Sequence, residues 1–143
     1  MTKDAAQLDE EILYEGEWLT IRAMRRPNGR MPAAEWLSSL QERYQLRFFN
    51  AAETVEVDLR DGRNSGRTEK VLISEQGLRE LKITPAGGRA PHLRMLYLRR
   101  GRTLWVAQGF KKQTNALRKR DVNPADRITE EWIKSQSTRR RHD

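Results

Sequence analysis

Between Leu81 and Arg120 the chain contains no aspartate or glutamate, although the same stretch holds eleven lysines and arginines. The deficit is local. Outside it 17 basic residues face 20 acidic ones, and the whole chain of 143 residues carries only +8. A mixed surface needs no partner, whereas a one-sign stretch this long creates a directed field and points to a polyanion. The missing carboxylates also argue against a two-metal nuclease, which uses Asp or Glu as ligands. Cysteine is absent throughout, which excludes disulfides, thiol nucleophiles and thiolate metal sites and fits a cytoplasmic protein. No apolar run approaches a membrane span, and the first residues, Met1 to Glu10, lack the apolar stretch of a signal peptide. Histidine is scarce: His92 and His142 are the only two, which argues against a two-histidine acid/base pair. No metal and no cofactor is expected.

The length fits one domain able to bury a core. A flexible N-terminal extension is expected over residues 1–10, a single domain over 11–135, and a basic polar tail over 136–143. A strand is expected near Trp18–Met24, where Trp18, Thr20, Arg22 and Met24 alternate with Leu19, Ile21 and Ala23. Pro27, Asn28 and Gly29 break it, and Pro32 suits the first position of a helix that presents Trp36, Leu37, Leu40 and Tyr44 on one face. A second helix is expected over Gln45–Leu59, because Phe48, Ala52, Val55 and Leu59 recur at helical spacing. Asp61 to Lys70 has no apolar residue and reads as a loop.

Then the period changes. Leu78–Ile83 alternates, with Arg79, Leu81 and Ile83 on one face and Leu78, Glu80 and Lys82 on the other. Pro85 to Gly88 reads as a turn. His92–Leu98 and Thr103–Phe110 read as two strands joined by a tight hairpin, Arg99 to Arg102. Asn123 and Pro124 are placed to start a last helix, with Ile128 and Trp132 on its apolar side. This order predicts an α+β fold: a small twisted antiparallel sheet, two N-terminal helices on one face, and a C-terminal helix.

In an antiparallel hairpin the start of one strand lies beside the end of the next. His92 and Arg94 should therefore neighbour Lys111 and Lys112, while the hairpin tip falls at the opposite end, as a secondary phosphate contact or a solvated turn. Arginine and lysine at one sheet end suit RNA cleavage without metal, in which the 2′-hydroxyl attacks its own phosphate and negative charge develops on the non-bridging oxygens. Lys111, Lys112 or His92 would handle protons. The remaining cations, Lys82, Arg89, Arg118, Lys119 and Arg120, would grip RNA backbone. Each feature also has a plainer explanation. A charge run is often a solvated face, and a lone His such as His92 is often structural. Arg94 sits between Leu93 and Met95 in an apolar strand and needs a partner or a groove. Tyr97, Trp105 and Phe110 read as core rather than base-stacking residues.

Several segments, in order, resemble the RelE/HigB superfamily of type II toxin–antitoxin toxins, especially its phage-derived HigB-like branch. Leu78-Arg79-Glu80-Leu81-Lys82-Ile83 resembles the family's Glu-Leu-Arg-Ile strand, and Gly87-Gly88 its following turn. His92 to Leu98 resembles the strand bearing an Arg before large apolar residues. Gly109-Phe110-Lys111-Lys112-Gln113-Thr114 resembles its Phe, paired Lys and Thr/Gln ending. The similarity covers about residues 14–135. It implies a RelE-like toxin that cleaves mRNA as an endoribonuclease (an mRNA interferase), on the ribosome, and is held inactive by a cognate antitoxin. Arg94 and Lys112 match functional basic positions best, followed by Lys111. Gln108 stands where many relatives carry His, and the basic link from Lys112 to the last helix is longer than usual. Two other functions fit the same residues: a non-catalytic nucleic-acid-binding protein of this fold, and a module whose basic groove holds an acidic antitoxin-like tail.

Overall fold

The computed structural model describes residues 11–63, 69–71, 76–84, 91–112 and 119–142, of which 69–71 and 138–142 as backbone alone. In chain order the elements are β1 (Ile12–Glu15), β2 (Thr20–Ala23), α1 (Pro32–Ser39), α2 (Glu42–Arg60), β3 (Glu69–Val71), β4 (Arg79–Lys82), β5 (His92–Arg100), β6 (Thr103–Lys112) and α3 (Lys119–His142). The fold is α+β, as the order of periods predicts. The Pro85–Gly88 turn lies outside the described residues.

The six strands form one sheet in the order β1-β2-β6-β5-β4-β3. Its centre is the β5–β6 hairpin, closed at Gly101, whose φ of 61° suits a residue without Cβ. Four of the five pairings are antiparallel, but β2 runs parallel to β6, so the sheet is mixed rather than antiparallel throughout. The reason is connectivity. The chain leaves β2, forms both helices and three further strands, and only then reaches β6, and so long a crossover permits parallel docking. β1 and β3 were not expected from sequence. Both are short, and β1 carries an irregularity between Ile12 and Tyr14 that interrupts its alternation.

Because both faces of the sheet are covered, β5 and β6 are apolar nearly throughout. One face packs Ala33 and Leu37 of α1 and Phe48, Ala51, Ala52 and Val55 of α2 against Ile21, Leu81, Leu93, Met95, Tyr97 and Val106. The other packs Val122, Ala125, Ile128 and Trp132 of α3 against Leu78, Leu96, Ala107 and Phe110. A bulge keeps these sets apart: Leu96 pairs with Gln108 but Tyr97 with Val106, leaving Ala107 as an extra residue. On the α1 side, a Cβ at Gly109 would overlap the Trp36 indole, so glycine there lets the helix seat closely.

Helix limits differ from expectation in two places. Trp36 and Tyr44 do not share one helix: α1 stops at Ser39 and α2 starts at Glu42. Gln45 explains the break, since its amide Nε2 donates to the Leu37 and Leu40 carbonyls at 3.2 and 3.0 Å, satisfying the end of α1. At the other end α3 begins at Lys119, before Pro124, and continues through the stretch expected as a basic polar tail to His142. Pro124 falls in an early turn, where its missing N–H removes a single intrahelical bond.

Candidate functional site

The register of the three central strands assembles the site. Lys82 pairs with Arg94, Arg94 with Phe110, and His92 with Lys112. Directly paired residues share a face, so Glu80, Lys82, His92, Arg94 and Lys112 all project on the α3 side of the sheet. This is the end where β5 starts and β6 stops, as the hairpin geometry predicts. Lys111 does not join them. It pairs with Leu93 of the opposite core layer and is exposed on the α1–α2 side. The expectation that Lys111 and Lys112 act together at one centre is therefore corrected by the period of two along β6.

Arg94 is 2% exposed and well held. Its Nη1 donates to the Thr84 and Leu93 carbonyls, both at 2.9 Å. Its Nη2 lies 3.4 Å from His92 Nδ1, and its Nε is 3.5 Å from Glu80 Oε1. Thr84 braces the same corner, its hydroxyl donating to the Pro91 carbonyl and accepting from the Leu93 amide. Burial pulls the Arg94 guanidinium below its ordinary value, and the adjacent Glu80 charge opposes that fall.

Glu80 is the residue that sequence reasoning missed. It is fully buried, and its second oxygen lies 3.8 Å from Lys112 Nζ, so one carboxylate serves two cations. Neither oxygen accepts a hydrogen bond among the described residues; the cations are held by charge at ion-pair distance. Glu80 stands one position before the acid-free stretch, so a count of charges along the chain could not couple it to Arg94. The available signal was alternation, which already placed Glu80 on one face with Lys82.

The other expected cations are dispersed. Lys82 is half-buried beside Arg94, and Lys119 and Arg120 are exposed at the start of α3. Arg89 and Arg118 lie outside the described residues. At the far end of the hairpin the arginines are engaged internally: Arg102 Nε donates to the Trp18 carbonyl at 2.6 Å and its guanidinium lies 4.8 Å from the Trp18 ring. Arg100 lies 4.9 Å from the Trp132 ring. Tyr97 and Phe110 are buried, as expected of core residues, and Trp105 packs against Trp132 at 4.7 Å.

Among the described residues no group of His, Asp and Glu side chains could hold a metal ion, and no helix is long and apolar enough to cross a membrane. A scan against protein-family models finds no match to this chain, and a search of curated proteins finds none either.

Proposed function

We propose that this protein is a RelE/HigB-like toxin: a metal-independent, ribosome-dependent mRNA endoribonuclease restrained by a cognate antitoxin. The observation that carries the reading is the gathering of His92, Arg94 and Lys112 on one face at one sheet end, within a stretch that supplies no acid of its own. In the reaction the 2′-oxygen forms a bond to phosphorus while the bond to the 5′-oxygen breaks. A proton leaves the 2′-hydroxyl and another reaches the departing oxygen. Lys112 would meet the non-bridging oxygens, where charge accumulates, and half-buried His92 would transfer a proton. Arg94, closed in at rest by two carbonyls and Glu80, would join Lys112 on those oxygens once Glu80 gives way. Lys82, Lys119 and Arg120 would contact RNA backbone, and Lys111 would do so from the other face.

The test is induced expression of the wild type and Lys112→Gln, with folding checked by circular dichroism. Growth arrest and cut transcripts are expected for the wild type and neither for the variant. Full toxicity of a folded variant would remove Lys112 from the site. One observation favours a second reading, in which the same surface binds RNA without cutting it: the burial and internal engagement of Arg94. Salt-sensitive RNA binding with intact mRNA in a translating extract would select it.

A further inference from the structure

Glu80, Arg94 and Lys112 form a buried group of two cations and one anion whose members are held at 3.5 and 3.8 Å. Such burial is costly unless the polar atoms are hydrogen-bonded. Here both Glu80 oxygens and Arg94 Nε have no hydrogen-bond partner among the described residues. The carboxylate is thus kept in place by its sign rather than by directed bonds. Two oxygens set between a guanidinium and an ammonium also present the chemistry that a phosphate or sulfate presents to the same pair. Arg94 and Lys112 lie toward the end of the sheet, beside half-buried His92, while Glu80 is set further in, level with Leu96.

We infer that Arg94 and Lys112 form a tetrahedral-oxyanion site occupied at rest by the protein's own Glu80 carboxylate. Glu80 is an internal competitor: an entering phosphate must displace it, and the resting protein is kept from binding free phosphate tightly. The inference concerns the residues of the proposed function but requires neither RNA nor cleavage, so a protein without nuclease activity is tested equally well.

Glu80→Gln preserves shape and removes the charge. Inorganic phosphate is titrated into wild type and variant at ionic strength matched with potassium chloride, following melting temperature and binding heat. The variant should melt lower than the wild type in chloride, recover much of that loss in phosphate, and bind phosphate at least about tenfold tighter than wild type. Adding Lys112→Gln to the variant should abolish the response. An equal effect of phosphate and chloride on Glu80→Gln would overturn the inference. If the variant does not fold in chloride, refolding in phosphate decides: recovery supports a vacated oxyanion site, and failure in both salts refutes it.

Discussion

Glu80 on β4 and Arg94 on β5 meet diagonally across adjacent strands, two positions apart in register, with Oε1 and Nε 3.5 Å apart and both withdrawn from water. The pair fixes the end of β4 against the start of β5, and through Arg94 and Lys112 it sets the cations of the candidate site. Removing Arg94 leaves the buried Glu80 carboxylate with Lys112 alone, at 3.8 Å. Arg94→Met is therefore expected to cost about 3–5 kcal/mol, far more than loss of a surface ion pair. The double variant Arg94→Met with Glu80→Gln should recover part of that loss, since no buried carboxylate is left with only one of its two cations. Urea denaturation of the single and double variants measures the coupling.

Glu56 makes a second prediction, remote from the site. From α2 its carboxylate accepts the Trp18 and Leu19 amides at 2.9 and 2.7 Å and the Tyr14 hydroxyl at 2.6 Å. Burial alone would raise its pKa, but the bonds from Tyr14, Leu19 and Trp18, with the Arg60 charge, outweigh that and hold it below the ordinary carboxylate value. A depressed folded-state pKa means that the stabilisation is complete above the unfolded carboxylate value of about 4.3 and is lost as pH falls below it. Glu56→Gln should lower stability at neutral pH by about 1–3 kcal/mol. It should also flatten the acid limb of stability against pH, measured by denaturant titration across that range.

Gly109 tests the seating of α1 on the sheet. Any Cβ there would overlap the Trp36 ring. Gly109→Ala should destabilise by about 1–3 kcal/mol through overpacking. Coupling with Trp36→Leu should relieve part of the cost, as a double-mutant cycle of melting or urea curves would report.

The two ends of the hairpin should behave differently toward RNA. Lys119 and Arg120 are exposed near the site end, whereas Arg102 is engaged with Trp18 at the far end. Lys119→Ala and Arg120→Ala should weaken RNA binding and reduce the slope of log affinity against log salt by about 0.7 per lost phosphate contact. Arg102→Ala should leave that slope unchanged. Filter binding or fluorescence anisotropy over a salt series separates these outcomes.

The parts of the fold legible in the sequence are those with a strong period. The alternation of Leu78–Ile83 and the apolar runs about Arg94 and Trp105 mark β4, β5 and β6, and their antiparallel order follows from short links. The helices were legible as amphipathic stretches, but the α1–α2 break was not, because it depends on one side chain, Gln45, closing two carbonyls. The parallel β2–β6 contact was hidden because it joins residues distant in sequence, Thr20 with Thr103 and Ala23 with Val106. At the site, sequence placed His92 and Arg94 beside Lys112 correctly. It assigned Lys111 to the same centre because charge was counted along the chain, while a strand sends consecutive residues to opposite faces. Arg94 evidently needed a partner, but Glu80 lies on another strand, and only the register brings them together.

The most direct measurement concerns the ends of cut RNA. Wild-type protein is added to a translating extract, transcripts are mapped, and the chemical groups at each new end are determined. Attack by the 2′-hydroxyl leaves a cyclic or 3′-phosphate upstream and a 5′-hydroxyl downstream, and these ends should be absent with Lys112→Gln. A 5′-phosphate at the new ends, or intact mRNA with the folded wild-type protein, would contradict the proposed endoribonuclease.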